Sequence, residues 1–248
     1  MSEKGSEKLR SILFALVLGA MSSLFILIVS VMLKPMQEEN LLTDKKKNIL
    51  KAVGLVSDKS AYSKGEIASL YDESIRTCYI DETGRLFAEP SKENTWLKIY
   101  FRVKGEDIVS YIIPIDTRGL WGRIRGYLAL ERDGSTISGF TVYSHSETPG
   151  LGGEIERSWF QKSFAGKKIV NRANRFVSVK IAKGKAPSDQ GDHYVDGISG
   201  ATLTGQYLSS GIQEILMRYE PVSVKFRAGE IGKVHPQHKE EDHGEQGL

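Results

Sequence analysis

An α+β fold behind a single N-terminal transmembrane helix is encoded in this chain, and three features point to it. One stretch, Ser11 to Leu33, carries no charge at all. Paired runs of alternating apolar and polar residues follow, joined by turn signals, as an antiparallel sheet requires. Segments with helical apolar spacing flank those runs on both sides.

The uncharged stretch, SILFALVLGAMSSLFILIVSVML, is long enough to cross about 30 Å of hydrocarbon as a helix. A secretory signal has a shorter apolar core and a small-residue cleavage site. Here Lys34-Pro35-Met36-Gln37 follows instead, so residues 11–33 read as a retained anchor, with residues 1–10 on one side of the membrane. Charge leaves the orientation open. Lys4, Lys8 and Arg10 precede the anchor and Lys34 and Lys45–Lys47 follow it, so neither flank dominates within about 15–20 residues.

Residues 34–95 read as a linker with two helices. Ile49, Leu50 and Val53 mark one near Lys45–Val53, and Ile67, Leu70, Tyr71 and Ile75 mark the other over Lys64–Ile75. The sheet domain is expected over 96–226. Trp96–Val103 alternates, Lys104-Gly105-Glu106-Asp107 turns, and Ile108–Ile115 returns. Ile124–Leu130 and Thr136–Tyr143 pair around Arg132-Asp133-Gly134-Ser135, with Asp-Gly as the turn signal. Glu154–Phe164 has Ile155, Trp159 and Phe160 on one helical side, and Phe176–Ile181 reads as a further strand. Leu208, Ile212, Ile215, Leu216 and Tyr219 define a last amphipathic helix, ended by Pro221. Residues 227–248 form a polar tail whose His235, His238 and His243 sit in a composition typical of disorder rather than of a metal site. Cys78 is the one cysteine, so no intramolecular disulfide forms, and it is expected to be half-buried beside Tyr79.

Several function classes drop out. The net charge of +3 is small, and no basic patch interleaved with aromatics marks a nucleic-acid surface. A P-loop and a Gly-x-Gly-x-x-Gly turn are both missing, which argues against a nucleotide-driven engine. Ser199 has His193 and Asp196 nearby in sequence, but the Gly-x-Ser-x-Gly elbow of a serine hydrolase is absent.

Two stretches remain. Asp196-Gly197-Ile198-Ser199-Gly200-Ala201-Thr202-Leu203-Thr204 opens the last helix. Its glycines permit a tight turn and close approach, Thr202 or Thr204 can cap the helix, and a helix start accepts phosphate. Ser144–Glu154 leaves a strand through Pro149, Gly150, Gly152 and Gly153. It is either a plain Pro-Gly turn or a loop lying flat on a planar ligand, with Leu151 as an apolar contact.

Glu147–Glu154, ETPGLGGE, together with Asp196–Thr204, DGISGATLT, resembles the C subunit of the sodium-translocating NADH:quinone oxidoreductase family. Pro114-Ile115-Asp116, Gly119-Leu120-Trp121 and Gly126–Leu130 are similar too, as is the order of anchor then domain. The resemblance implies an FMN-binding domain in which FMN is covalently bound, as a phosphoester to Thr202, by an FMN transferase. Asp196 matches the acidic residue opening the transferase's recognition motif, and Ser199, Gly200 and Ala201 complete it. Thr204 is the competing hydroxyl, which side-chain chemistry alone does not separate from Thr202. Thr148 and Leu151 match residues lying against the flavin ring, with Gly150 shaping their loop.

The same resemblance implies a bacterial inner-membrane protein with a cytoplasmic N-terminus and an extracytoplasmic domain. Its partners would be the A, B, D, E and F subunits, the transferase and membrane lipid, with no nucleic acid. Single electrons would pass from the membrane subunits to this FMN, then to the flavin of the B subunit and quinone, during NADH oxidation coupled to sodium export. NADH and quinone chemistry would lie on other chains. The membrane helix contains no ionisable residue to mark an ion path. The G subunit of the Rnf complex shares the anchor and the FMN motif; the longer segment between anchor and sheet, and Gly152-Gly153-Glu154, favour the C subunit instead. A membrane-anchored scaffold domain without flavin would keep the same elements and lack the cofactor.

Overall fold

A computed structural model describes residues 3–91 and 95–233. The expected tail histidines, His235, His238 and His243, lie outside the described residues. Two compact units divide at Asp44/Lys45. The first consists of helix α1 (Glu3–Ala52) up to that point. Its large apolar side chains from Ile12 to Leu33 are exposed. Among the described residues, this is the one helix long and apolar enough to cross a membrane.

In the second unit the last turns of α1 bury Ile49, Leu50 and Ala52. Helix α2 (Lys64–Ser74) begins at a reciprocal cap: Glu66 N–H donates to the Ser63 hydroxyl (3.2 Å), and Ser63 N–H to the Glu66 carboxylate (2.7 Å), which satisfies two free donors at once. The sheet contains β1 (Ile75–Ile80), β2 (Leu86–Phe87), β3 (Leu97–Lys104), β4 (Asp107–Arg118), β5 (Arg123–Glu131) and β6 (Ile137–Ser144). The strand order is β2-β1-β3-β4-β5-β6, antiparallel throughout. The expected hairpins form. Gly105 and Gly134 take positive φ in their turns, and Asp133 accepts the N–H groups of Ser135 and Thr136.

Both sheet faces are covered, because side chains alternate across the pleat. Ile99, Phe101, Tyr111, Ile113, Leu128 and Leu130 pack on one face with Leu208, Ile212, Leu216, Val222 and Phe226 of helix α4 (Thr202–Arg227). Tyr100, Ile112, Tyr127 and Ala129 meet Ile49, Leu50 and Ile67 on the other. The fold is α+β, in three layers.

Five expectations are corrected. The helix anticipated over Glu154–Phe164 is broken at Arg157, with a 3-10 turn at Gly152–Glu156 and a short α3 (Ser158–Lys162). The strand anticipated over Phe176–Ile181 shrinks to β7 (Lys180–Ile181), paired in parallel with β8 (Tyr194–Val195). Ser178 takes φ 64°, and the N–H groups of both Val177 and Ser178 turn to Ile169 O, so an extended ladder is interrupted there. Pro221 does not end α4, which continues to Arg227. The buried Val222 and Phe226 hold that last part against the sheet, and tertiary packing outweighs the missing N–H. Sheet residues also begin before residue 96, since β1 and β2 belong to it. Finally, Cys78 is fully buried at 1% exposure rather than half-buried, and burial pushes its thiol up to about 11.

Candidate functional site

Three segments converge on a cleft of about 350 Å³: the β4–β5 connection, the loop after β6, and the first turn of α4. Gly119 N–H bonds to Gly122 O (2.6 Å) and closes the β4–β5 turn, which leaves Trp121 69% exposed beside the cleft. In the second loop, Thr148 O accepts from both Leu151 N–H (3.2 Å) and Gly153 N–H (2.9 Å). That tight loop takes φ 74° at Gly150 and projects Leu151 outward, 44% exposed.

Glu147 ties the three segments together. It is 4% exposed; one carboxylate oxygen accepts Trp121 N–H (3.0 Å) and the other accepts the Thr204 hydroxyl (2.5 Å). Glycine makes room on both sides. A Cβ at Gly119 would sit 2.5 Å from Glu147 Oε1, and one at Gly152 would sit 2.8 Å from Oε2 and 2.5 Å from Thr204 Oγ1. Behind it, Glu147 N–H donates to His145 Nδ1 (3.1 Å). In the neutral ring the proton therefore lies on Nε2, facing Glu156 (3.3 Å).

Before α4 the chain is held from the other side. Asp196 accepts Ala186 N–H (2.7 Å), and Gly197 N–H donates to Gly184 O (2.7 Å), so these two residues clamp the 182–186 loop. Gly200 turns with φ 73°, and a Cβ there would meet Leu151 at 2.7 Å. The helix cap is Ala201 and carries no side-chain bond. The expected threonine cap is thus corrected: Thr202 already lies inside the first turn, and the Thr204 hydroxyl is taken by Glu147. Thr202 is exposed, whereas Thr204 is 2% exposed.

Of the residues picked out from sequence, Thr148, Leu151, Gly200, Ala201, Thr202 and Thr204 line the cleft. Asp196, Ser199 and Gly150 are not on its wall: Asp196 holds the neighbouring loop, Ser199 sits exposed in the turn before Gly200, and Gly150 makes the Thr148–Leu151 turn. Glu147, Leu120, Trp121, Gly152 and Leu203 were not picked out as site residues and do line it. A lone acid among Ser, Thr, Pro and Gly directly after a strand was the available signal for Glu147.

The wall suits a planar ring carrying a phosphate. Exposed Trp121, Leu151 and Leu203 offer apolar faces. The first N–H groups of α4 have no intrahelical acceptor. They also carry the positive end of the dipole of a 26-residue helix. Arg118, next in the chain to Gly119, stacks its guanidinium 5.6 Å from the centroid of the Tyr207 ring on α4.

The family model of the FMN-binding domain matches residues 119–217, from the Gly119 turn into α4, and so takes in all three segments of the cleft. The chain is 38% identical to the C subunit of the Na(+)-translocating NADH-quinone reductase of Vibrio campbellii over 173 residues, which spans 66% of this chain and 65% of that one. It is 30% identical to the C subunit of Vibrio anguillarum over 255 residues, covering 90% of this chain and 97% of the relative. A crystal structure of the C subunit from Parabacteroides distasonis superposes with TM-score 0.65 at 30% identity, covering 79% of this chain and 96% of that one. The chain belongs to the family formed by the C subunits of Na(+)-translocating NADH-quinone reductases.

Proposed function

We propose that this chain is an electron-carrying subunit of a Na(+)-translocating NADH:quinone oxidoreductase and holds FMN as a phosphoester on Thr202. The observation that carries the attachment point is the contrast between two hydroxyls. Thr202 is exposed on the cleft at the first position of α4, while Thr204 is buried and its hydroxyl donates a hydrogen bond to Glu147. The free N–H groups of the same turn stand ready for phosphate oxygens. Trp121, Leu151 and Thr148 frame the apolar part of the cleft for the ring.

FMN, when bound, supplies one-electron chemistry that no side chain here offers. Leu151 and Trp121 would offer the ring its apolar contacts, and the N–H groups at the start of α4 would hold the phosphate. In this reading electrons come from the membrane subunits and leave toward the flavin of the B subunit and quinone, coupled to sodium export. The apolar run of α1 anchors the chain in the inner membrane, with the N-terminus cytoplasmic and the domain extracytoplasmic. An FMN transferase loads Thr202, and Asp196, Ser199, Gly200 and Ala201 form its recognition segment. The A, B, D, E and F subunits of the complex are the partners.

The test is co-expression with an FMN transferase, followed by denaturing electrophoresis under ultraviolet light. Wild type is expected to give a fluorescent band, Thr202→Ala none, and Thr204→Ala a band. A dark wild-type band would overturn the covalent flavin. A bright Thr202→Ala band with a dark Thr204→Ala band would move the attachment to Thr204.

A further inference from the structure

Glu147 is a buried carboxylate on the wall of the cleft, and its bonds explain its position without explaining its charge. Both oxygens accept, from Trp121 N–H at 3.0 Å and from the Thr204 hydroxyl at 2.5 Å. An amide side chain would also bridge those two groups, because a threonine hydroxyl can accept as well as donate. No ion pair among the described residues includes Glu147. Its charge is therefore met by one N–H, one O–H and the α4 dipole. Gly119 and Gly152 both lack the Cβ that would crowd this carboxylate. A buried charge is costly to keep without a paired cation, and here two hydrogen-bond donors and a helix start are what hold it.

We propose that Glu147 is a positioning residue for redox tuning: it holds a fixed negative charge against the flavin cleft and so opposes electron uptake there. Any group seated in the cleft has this wall beside it. Each electron entering the cleft would add negative charge beside the carboxylate, and a buried charge such as Glu147, 4% exposed, is screened by salt far less than an exposed one. The carboxylate cannot swing away, because Trp121 N–H and Thr204 Oγ1 hold it from two directions. The charge keeps the flavin a better electron donor than the same cleft with a neutral amide would. Redox potential is one of the properties a protein sets by placing charge near a flavin.

This inference rests on the FMN reading above. Its test is a potentiometric titration, followed by absorbance, of the full-length chain loaded by an FMN transferase and purified in detergent. Glu147→Gln keeps the bridge and removes the charge. At the wild-type midpoint potential, its reduced-to-oxidised ratio is expected to rise on the order of tenfold or more. Glu147→Asp keeps the charge and is expected to titrate near wild type. Thr204→Val removes the hydroxyl donor but leaves the charge, and its midpoint is expected at or below the wild-type value. A Glu147→Gln curve superposing on wild type would overturn the proposal. So would a rise in Thr204→Val, or a rise in Glu147→Asp equal to that of Glu147→Gln, since shape rather than charge would then be responsible. Mass spectrometry of the loaded wild type separates this from the parent reading: no flavin mass on the Thr202 peptide means that the attachment has failed, whereas a loaded wild type with an unshifted Glu147→Gln means that the tuning has.

Discussion

Thr204 shows how a single side chain divides structure from chemistry. Its hydroxyl completes the Glu147 bridge, so Thr204→Ala strips a buried carboxylate of one of two donors. A loss of about 1–3 kcal/mol in unfolding free energy is expected, read by chemical denaturation, while the proposed attachment at Thr202 leaves flavin loading intact. Gly211 is a second sensitive point, because a Cβ there would run into the Thr117 side chain on β4. Gly211→Ala is expected to cost about 1–3 kcal/mol as overpacking, seen as a lower thermal midpoint. At this scale the sequence was partly legible. Thr202, Thr148 and Leu151 stand in short motifs that announce themselves. The Glu147–Thr204 bond joins residues 57 positions apart, and no local pattern reveals such a partner.

Elements were legible where periodicity was strong and turns carried glycine, as in the β3–β4 and β5–β6 hairpins. They were misread where long-range packing decided the outcome. The C-terminal part of α4 survives Pro221 because Val222 and Phe226 are buried, Tyr111 stacks on Phe226 with centroids 4.5 Å apart, and Arg227 pairs with Glu220 and donates to Gly134 O. Arg227→Ala removes both contacts of that guanidinium. It is expected to destabilise the domain by about 2 kcal/mol, between the values for exposed and buried pairs, measured by urea unfolding. β1 was missed for a related reason. It follows α2 without a break, with Ile75 N–H still bonded to Tyr71 O, so helical spacing ran into strand spacing.

For the whole molecule, the buried acids of the core set an alkaline limit. Burial pushes the Cys78 thiol up to about 11 and the Tyr100 phenol up to about 12, and it raises Tyr111, Tyr127 and Tyr219 as well. The folded chain holds these protons where the unfolded chain releases them, so the native state binds more protons and stability falls as pH rises. For Cys78 the loss begins near the unfolded value of 9.0 and is complete near 11, a total of about 2–3 kcal/mol at 1.36 kcal/mol per unit. Unfolding free energy in Cys78→Ala is expected to fall less over that window, with the tyrosines still eroding it above. At pH 8 the native thiol is expected to resist alkylation and to react once denaturant is added.

The position of α4 has a consequence for the order of assembly. Neighbouring strands β3 to β6 meet through tight turns, whereas α4 meets β4 across a long separation: Tyr111 and Ser223 share a 2.8 Å hydrogen bond 112 residues apart. Such contacts carry the larger loop-closure cost. The cleft needs the β4–β5 turn, the loop after β6 and the start of α4 together, so a chain truncated before residue 202 lacks Thr202, Leu203 and Thr204 of the wall and the α4 side chains that cover one face of the sheet. Under the proposed chemistry, a flavin on Thr202 therefore serves as a mark of completed assembly, because it sits on the helix that closes the cleft.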